Sequence, residues 1–129
     1  MTEYYIDIPL AHRKWITENQ RLHWASRWRQ TRLWREAGQV GARNMRIPHL
    51  DRALIICEMN FAINRRRDPA NWLPTAKAIV DGLVDAHVLD DDDDKHLLGP
   101  DMRNGSRVLG AVWEGVHVRI LPITKDTIR

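Results

Sequence analysis

The sequence predicts an α/β domain in which a small mixed β-sheet is packed by two main helices. Three observations predict it. Residues 4–8 and 53–63 carry strand-like patterns, two intervening stretches carry helical spacing, and strand-like residues return after residue 107. The order strand, helix, strand, helix, strands fits helices laid on a sheet. A chain of 129 residues fits one domain with one core, so residues 1–129 are read as a single unit.

Each element has its own signal. Tyr4-Tyr5-Ile6-Asp7-Ile8, closed by Pro9, reads as a short strand. From Asn19 to Val40 there is no proline, and Gly38 comes only near the end, which predicts a long helix with Asn19 or Thr17 as its N-cap. On a helical wheel Leu22, Leu33, Ala37 and Val40 share one side, while Arg21, Trp24, Trp28, Arg32 and Arg35 share another. In 53–63, Cys57, Met59, Phe61 and Ile63 alternate with Glu58, Asn60 and Ala62. Asp68-Pro69 reads as an N-cap followed by the first helical position, and Pro74 places a turn before a main helix over 74–86. Leu73, Ala76, Val80 and Leu83 are spaced for its buried stripe, with Lys77, Asp81 and Asp85 on the polar side. Residues 107–113 and 115–121 read as a hairpin, and 123–129 as a frayed tail.

Composition narrows the function classes. With 43% hydrophobic and 29% charged residues, the chain is expected to fold rather than stay disordered. The single cysteine, Cys57, excludes an internal disulfide and a cysteine zinc cage, and its strand pattern makes it a buried small hydrophobe. Apolar runs fall far short of the ~20 residues of a membrane span, and no leader-like segment opens the sequence. The expectation is a cytoplasmic protein with no membrane partner. Net charge is +3, yet residues 78–101 hold one lysine against eight aspartates while the flanking stretches are basic. A basic surface attracts polyanions. A concentrated acidic site is compatible with that attraction when a divalent cation sits between.

The chemistry-bearing residues cluster around the second helix. Asp68 lies where the strand gives way to that helix, and Asp90–Asp94 follow its other end. Were the chain after the helix to fold back beside the strand, these carboxylates would converge. Oxygen donors favour Mg²⁺, with Mn²⁺ as a substitute, and such an ion activates water against a phosphodiester. Lys77 would stabilise charge on the same phosphate, and Arg65, Arg66 and Arg67 would contact the backbone. An EF-hand is excluded, because a 12-residue loop from Asp90 has no glycine at its sixth position and no closing glutamate. Each residue also has a plainer explanation. Asp68 caps a helix, Lys77 pairs with Asp81 or faces solvent, and the aspartate run is a solvated loop. The tryptophans are core or a dimer interface, and His23 has no catalytic role.

Arg65-Arg66-Arg67-Asp68-Pro69-Ala70-Asn71, Lys77, Asp81-Gly82-Leu83, and Val88-Leu89 with the following aspartates together resemble the RusA family of Holliday junction resolvases of bacteria and phages. The run Asn19-Gln20-Arg21-Leu22-His23-Trp24 is similar to the opening of its actinobacterial and actinophage branch. The resemblance spans about residues 4 to 121. It implies a homodimeric, Mg²⁺-dependent endonuclease that makes paired cuts in four-way DNA junctions during recombination and repair. It also implies Asp68, Asp91 and Asp92 as metal ligands, these three with Lys77 as catalytic residues, and Asp81 as structural. Arg21, Arg65, Arg66, Arg67, Asn71 and Lys77 become DNA contacts. The chain departs from the family pattern in three ways. Ala70 replaces the second aspartate of Asp-x-Asp-Asn, His87 stands where glycine is usual, and the spacing from Asn71 to Lys77 is longer than in the enteric branch. Ala70 keeps a second class open, a branched-DNA binding protein with impaired catalysis. A third is an interaction protein whose acidic run recruits a basic partner.

Overall fold

The structure is a computed structural model that describes residues 2–21, 23–62, 67–105 and 113–124. Its elements are β1 (Tyr4–Pro9), α1 (Trp24–Asn44), β2 (Ala53–Asn60), a single 3₁₀ turn (Pro69–Trp72), α2 (Leu73–Asp85), β3 (Leu97–Asn104) and β4 (Gly115–Pro122). The α/β expectation holds: one mixed four-stranded sheet, in the order β1-β4-β2-β3, is packed by two helices. β4 lies antiparallel between β1 and β2, and β3 runs parallel to β2 on the far edge. No described helix is long and apolar enough to cross a membrane.

The core follows the alternation. Ile6 and Ile8 of β1, Ile55, Cys57 and Met59 of β2, and Val116, Val118 and Ile120 of β4 are buried with Ala76, Ile79, Val80 and Leu83 of α2. Burial pushes the Cys57 thiol up to about 12, so it is an inert filler. On the intervening strand positions, Tyr5 stacks on His117 at 5.3 Å, and Arg119 reaches Glu3 at 2.7 Å.

Three expectations are corrected. The long helix starts at Trp24, not near Asn19, because residues 14–18 are committed to tertiary bonds. Thr75 Oγ1 both accepts from the Ile16 N–H (2.9 Å) and donates to the Ile16 carbonyl (2.8 Å), and Gln30 Oε1 accepts from the Lys14 N–H (2.8 Å). The N-cap is His23, whose Nδ1 accepts from the Ala25 N–H. The buried stripe of α1 is Gln30, Trp34, Gly38 and Ala42; Val40 is exposed. Gly38 holds its place in this stripe because the helices touch through their backbones: a Cβ on Gly38 would stand 2.5 Å from the Ile79 carbonyl oxygen, and one on Gly82 2.1 Å from that of Arg35. Finally, among the described residues the strand before β4 is β3, and β4 pairs with β1 and β2 rather than closing a hairpin. β3 was missed because Gly99-Pro100 interrupts its pattern; an edge strand tolerates a proline. Most of the predicted first hairpin limb, together with Leu22, Ile63, Arg65, Arg66 and residues 125–129 of the tail, lies outside the described residues.

The tryptophans divide by location. Trp34 is fully buried, donates to the Lys14 carbonyl at 2.8 Å and stacks on Trp15, which meets Phe61; Phe61 in turn meets Trp72 edge-on. This aromatic row fills the end of the sheet where β2 stops. Trp24 and Trp28 stay exposed, with the Arg32 guanidinium 5.0 Å from the Trp28 ring.

Candidate metal centre and nucleic-acid interface

The parallel register of β2 and β3 fixes where the candidate residues stand. Ala53 pairs with Leu97 at one end and Met59 with Asn104 at the other. The crossover between them returns through α2, whose 13 residues span about 20 Å. Asp68 therefore sits at the C-terminal end of β2, and Asp90–Asp94 at the start of β3.

At the first end, Asp68 Oδ1 accepts from the Ala70 N–H at 3.1 Å and caps the 3₁₀ turn, as the Asp68-Pro69 signal predicts. The Asp68 carbonyl accepts from the Asn71 N–H (3.1 Å), and the Asn71 carbonyl accepts from the Glu18 N–H (2.9 Å). Asn104 Nδ2 donates to the Arg67 carbonyl at 3.2 Å, tying the end of β3 to the same joint. The Arg67 guanidinium lies 4.0 Å from the Phe61 ring centroid. Asp68, Ala70, Asn71, Glu18 and Asn19 line one shallow cavity of about 330 Å³. Asn71 Oδ1 itself is shut off from solvent and has no hydrogen-bond partner, which is costly for a carbonyl oxygen. The acidic residues Asp68 and Glu18 at the cavity's edge, with room for several waters, fit a hard cation such as Mg²⁺.

At the second end the aspartates are largely spoken for. Asp90 meets His49 Nε2 at 3.0 Å, Asp93 meets His96 Nδ1 at 2.5 Å, and the Asp94 carbonyl accepts from Arg52. The His96 bond holds the Asp93 carboxyl below the usual carboxylate range and raises the His96 imidazole in turn. Asp91 Oδ1 accepts from the Asp92 N–H at 2.8 Å. Burial raises the Asp81 carboxyl; Arg35 opposes this, the nearby charges of Asp92 and Asp85 add to it, and Lys77 lowers it weakly. Asp81 of α2 thus faces the acidic run. Asp85 is gripped by Arg35 through two bonds, of 2.6 and 2.9 Å.

The expected convergence within one chain is corrected by this topology. Asp68 and the pair Asp91 and Asp92 stand at opposite ends of α2, and no group of three His, Cys, Asp or Glu among the described residues is arranged to hold a metal. The fold-back beside the strand does occur, but parallel pairing delivers the acidic run to the wrong end of β2. Lys77 is exposed on α2 between the two ends, and Arg21 is exposed on the segment before α1. Sequence reasoning passed over Glu18, whose type and position carry no motif; only the tertiary docking of residues 14–18 brings it beside Asp68. Compared with family models and with curated proteins, the chain matches none.

Proposed function

We propose that the protein is a Mg²⁺-dependent endonuclease that cuts four-way DNA junctions in pairs as a homodimer, the activity implied by its resemblance to the RusA family. The supporting observation is the cavity at the strand-to-helix joint, which Asp68 lines with its carboxylate oriented by its cap bond. Asp68 would hold the ion, which when bound supplies an activated water and a counter-charge for the phosphate. The cap bond commits Oδ1 of Asp68 and so limits the rotation of its carboxylate. Arg67, with Arg65 and Arg66 before it, would hold the DNA backbone. Lys77 would stabilise the negative charge that builds on the phosphate as it is attacked.

Asp91 and Asp92 would serve an Asp68 site from a second subunit. A two-fold dimer that offers the acidic run of each protomer to the Asp68 cavity of the other contains two equivalent sites. A four-way junction has two symmetric strands to cut, so that symmetry suits the substrate.

Ala70 favours a second reading, a branched-DNA binding protein without catalysis, because no carboxylate stands at that position of the cavity. A labelled synthetic four-way junction separates the two. Paired nicks in Mg²⁺ that vanish in EDTA are expected. Tight junction binding without nicks would favour the second reading, and equal binding to junction and duplex would dismiss both.

A further inference from the structure

We infer that the exposed face at the start of α1, built on Trp24 and Trp28, is a stacking surface for unpaired bases of a DNA strand. These indoles are 76% and 58% exposed, the two most exposed large apolar side chains among the described residues. Four residues apart, they stand on one side of the helix, about 6 Å apart along its axis. With Ala25, Arg29, Arg32 and Leu33 they line an open groove of about 490 Å³. A contiguous exposed aromatic patch marks an interaction surface, and charge selects the partner. Residues 19–35 hold five arginines and no acidic residue. Arg35 is taken by Asp85, but Arg29 and Arg32 are exposed beside the indoles. The Arg32 guanidinium lies 5.0 Å from the Trp28 ring, and its contact with Glu36, at 3.6 Å between exposed groups, is a weak restraint. A fitting partner offers negative charge and flat apolar faces together. A nucleic-acid strand does: arginines take its phosphates and aromatic rings its bases. A second copy of the same face, set across a two-fold axis, would bring arginine against arginine. Bases inside a duplex are stacked on one another and closed to an indole, so the surface selects unpaired ones. The face also adjoins the Asp68 end. Arg27 of the first turn donates to the Thr17 carbonyl at 3.3 Å, and the next residue, Glu18, lines the Asp68 cavity with its N–H on the Asn71 carbonyl. The choice of DNA over RNA rests on the proposed cleavage; the stacking does not.

The test is binding of the full chain to a labelled oligothymidylate in EDTA, read by fluorescence anisotropy, beside an abasic strand with the same phosphates. The parent should prefer the strand that carries bases by at least about fivefold, the smallest effect of one stacked base. Trp24→Leu keeps an apolar group but no aromatic face and should lose at least about fivefold, whereas Trp24→Phe should stay closer to the parent than Trp24→Leu. Trp28→Leu repeats the test one turn on, and both variants should melt with the parent because the indoles are exposed. Arg29→Gln should lower the slope of log affinity against log salt by about 0.7, a slope that Trp24→Leu leaves unchanged. Equal affinity for the abasic strand, or losses below fivefold in both leucine variants, would overturn the inference. So would a smaller oligomer on sedimentation of Trp24→Leu, which would give the face to a second copy, and tighter binding of oligouridylate, which would give it to RNA. Asp68→Asn keeps the two proposals apart: it should bind the oligothymidylate as the parent does. If the parent binds through its indoles yet never nicks a junction, the proposed function falls alone; if it nicks and the leucine variants bind normally, only the stacking surface falls.

Discussion

The two ends of α2 are both acidic, but they differ in what their oxygens already do. The aspartate run is the most conspicuous feature of the sequence, yet two of its carboxylates are engaged by histidines, and a third accepts from the backbone. The Asp68 end has far fewer carboxylates, but Asp68 and Glu18 line an open cavity there. Charge density in a sequence shows where repulsion must be managed. An open cavity beside a carboxylate shows where a ligand has room, and only the folded structure displays it.

The strongest challenge to this contrast is Asp68→Asn. Junction nicking should fall by about 100-fold or more, since even the outer partners of metal ligands are worth 10–100-fold. Nicking at the parent rate would remove the Asp68 end from the chemistry. A second challenge mixes subunits. Asp68→Asn and Asp92→Asn should each be impaired alone, and a mixed dimer should regain one intact site. It should then release singly nicked rather than paired products on a native gel. If mixing restores nothing, each site is built within one chain.

Lys77→Ala should lower nicking by about 100-fold, the lower end of what losing one donor to a charged transition state costs. Because Lys77 is exposed, its thermal midpoint should hardly move; a large drop would make it structural. Gly82→Ala acts on both ends at once, because its Cβ would meet the Arg35 carbonyl oxygen at 2.1 Å. Overpacking of that kind costs about 1–3 kcal/mol, measurable by urea unfolding; an unchanged midpoint would show that α1 and α2 are less closely apposed.

The smallest effect concerns acid and base at the aspartate run. His96 binds its proton more tightly when folded, so its contribution to stability is complete below about the ordinary value of 6.5 and is lost as pH rises through the raised one. Asp93 is shifted down, so its contribution holds above its ordinary 3.8 and is lost as pH falls through the lowered value. Between those limits the pair is intact. Asp93→Asn should return the His96 titration, followed by NMR, toward the ordinary value; an unmoved titration would mean the contact does not form in solution.

Much of the scaffold was legible in the sequence. The alternation of β2 and the apolar stripe of α2 are consequences of burial against one core, and Asp68-Pro69 marks a capped turn that the structure contains. The start of α1 was not legible, because Thr75, 59 residues away, takes the backbone bonds of Ile16. β3 was obscured by Gly99-Pro100, which an edge position tolerates. The candidate residues were legible as types, but their separation depends on β2 and β3 being parallel. Local patterns cannot carry that relation, which joins segments about 40 residues apart.

Gly38 and Gly82 have a consequence beyond packing. Because they let the two helices meet main chain to main chain, α2 cannot slide along α1 without collision. The helix is a strut of set length, and the interval between its charged tips behaves as a caliper. Whatever spans those tips, whether a nucleic acid or a second protomer, must conform to that interval.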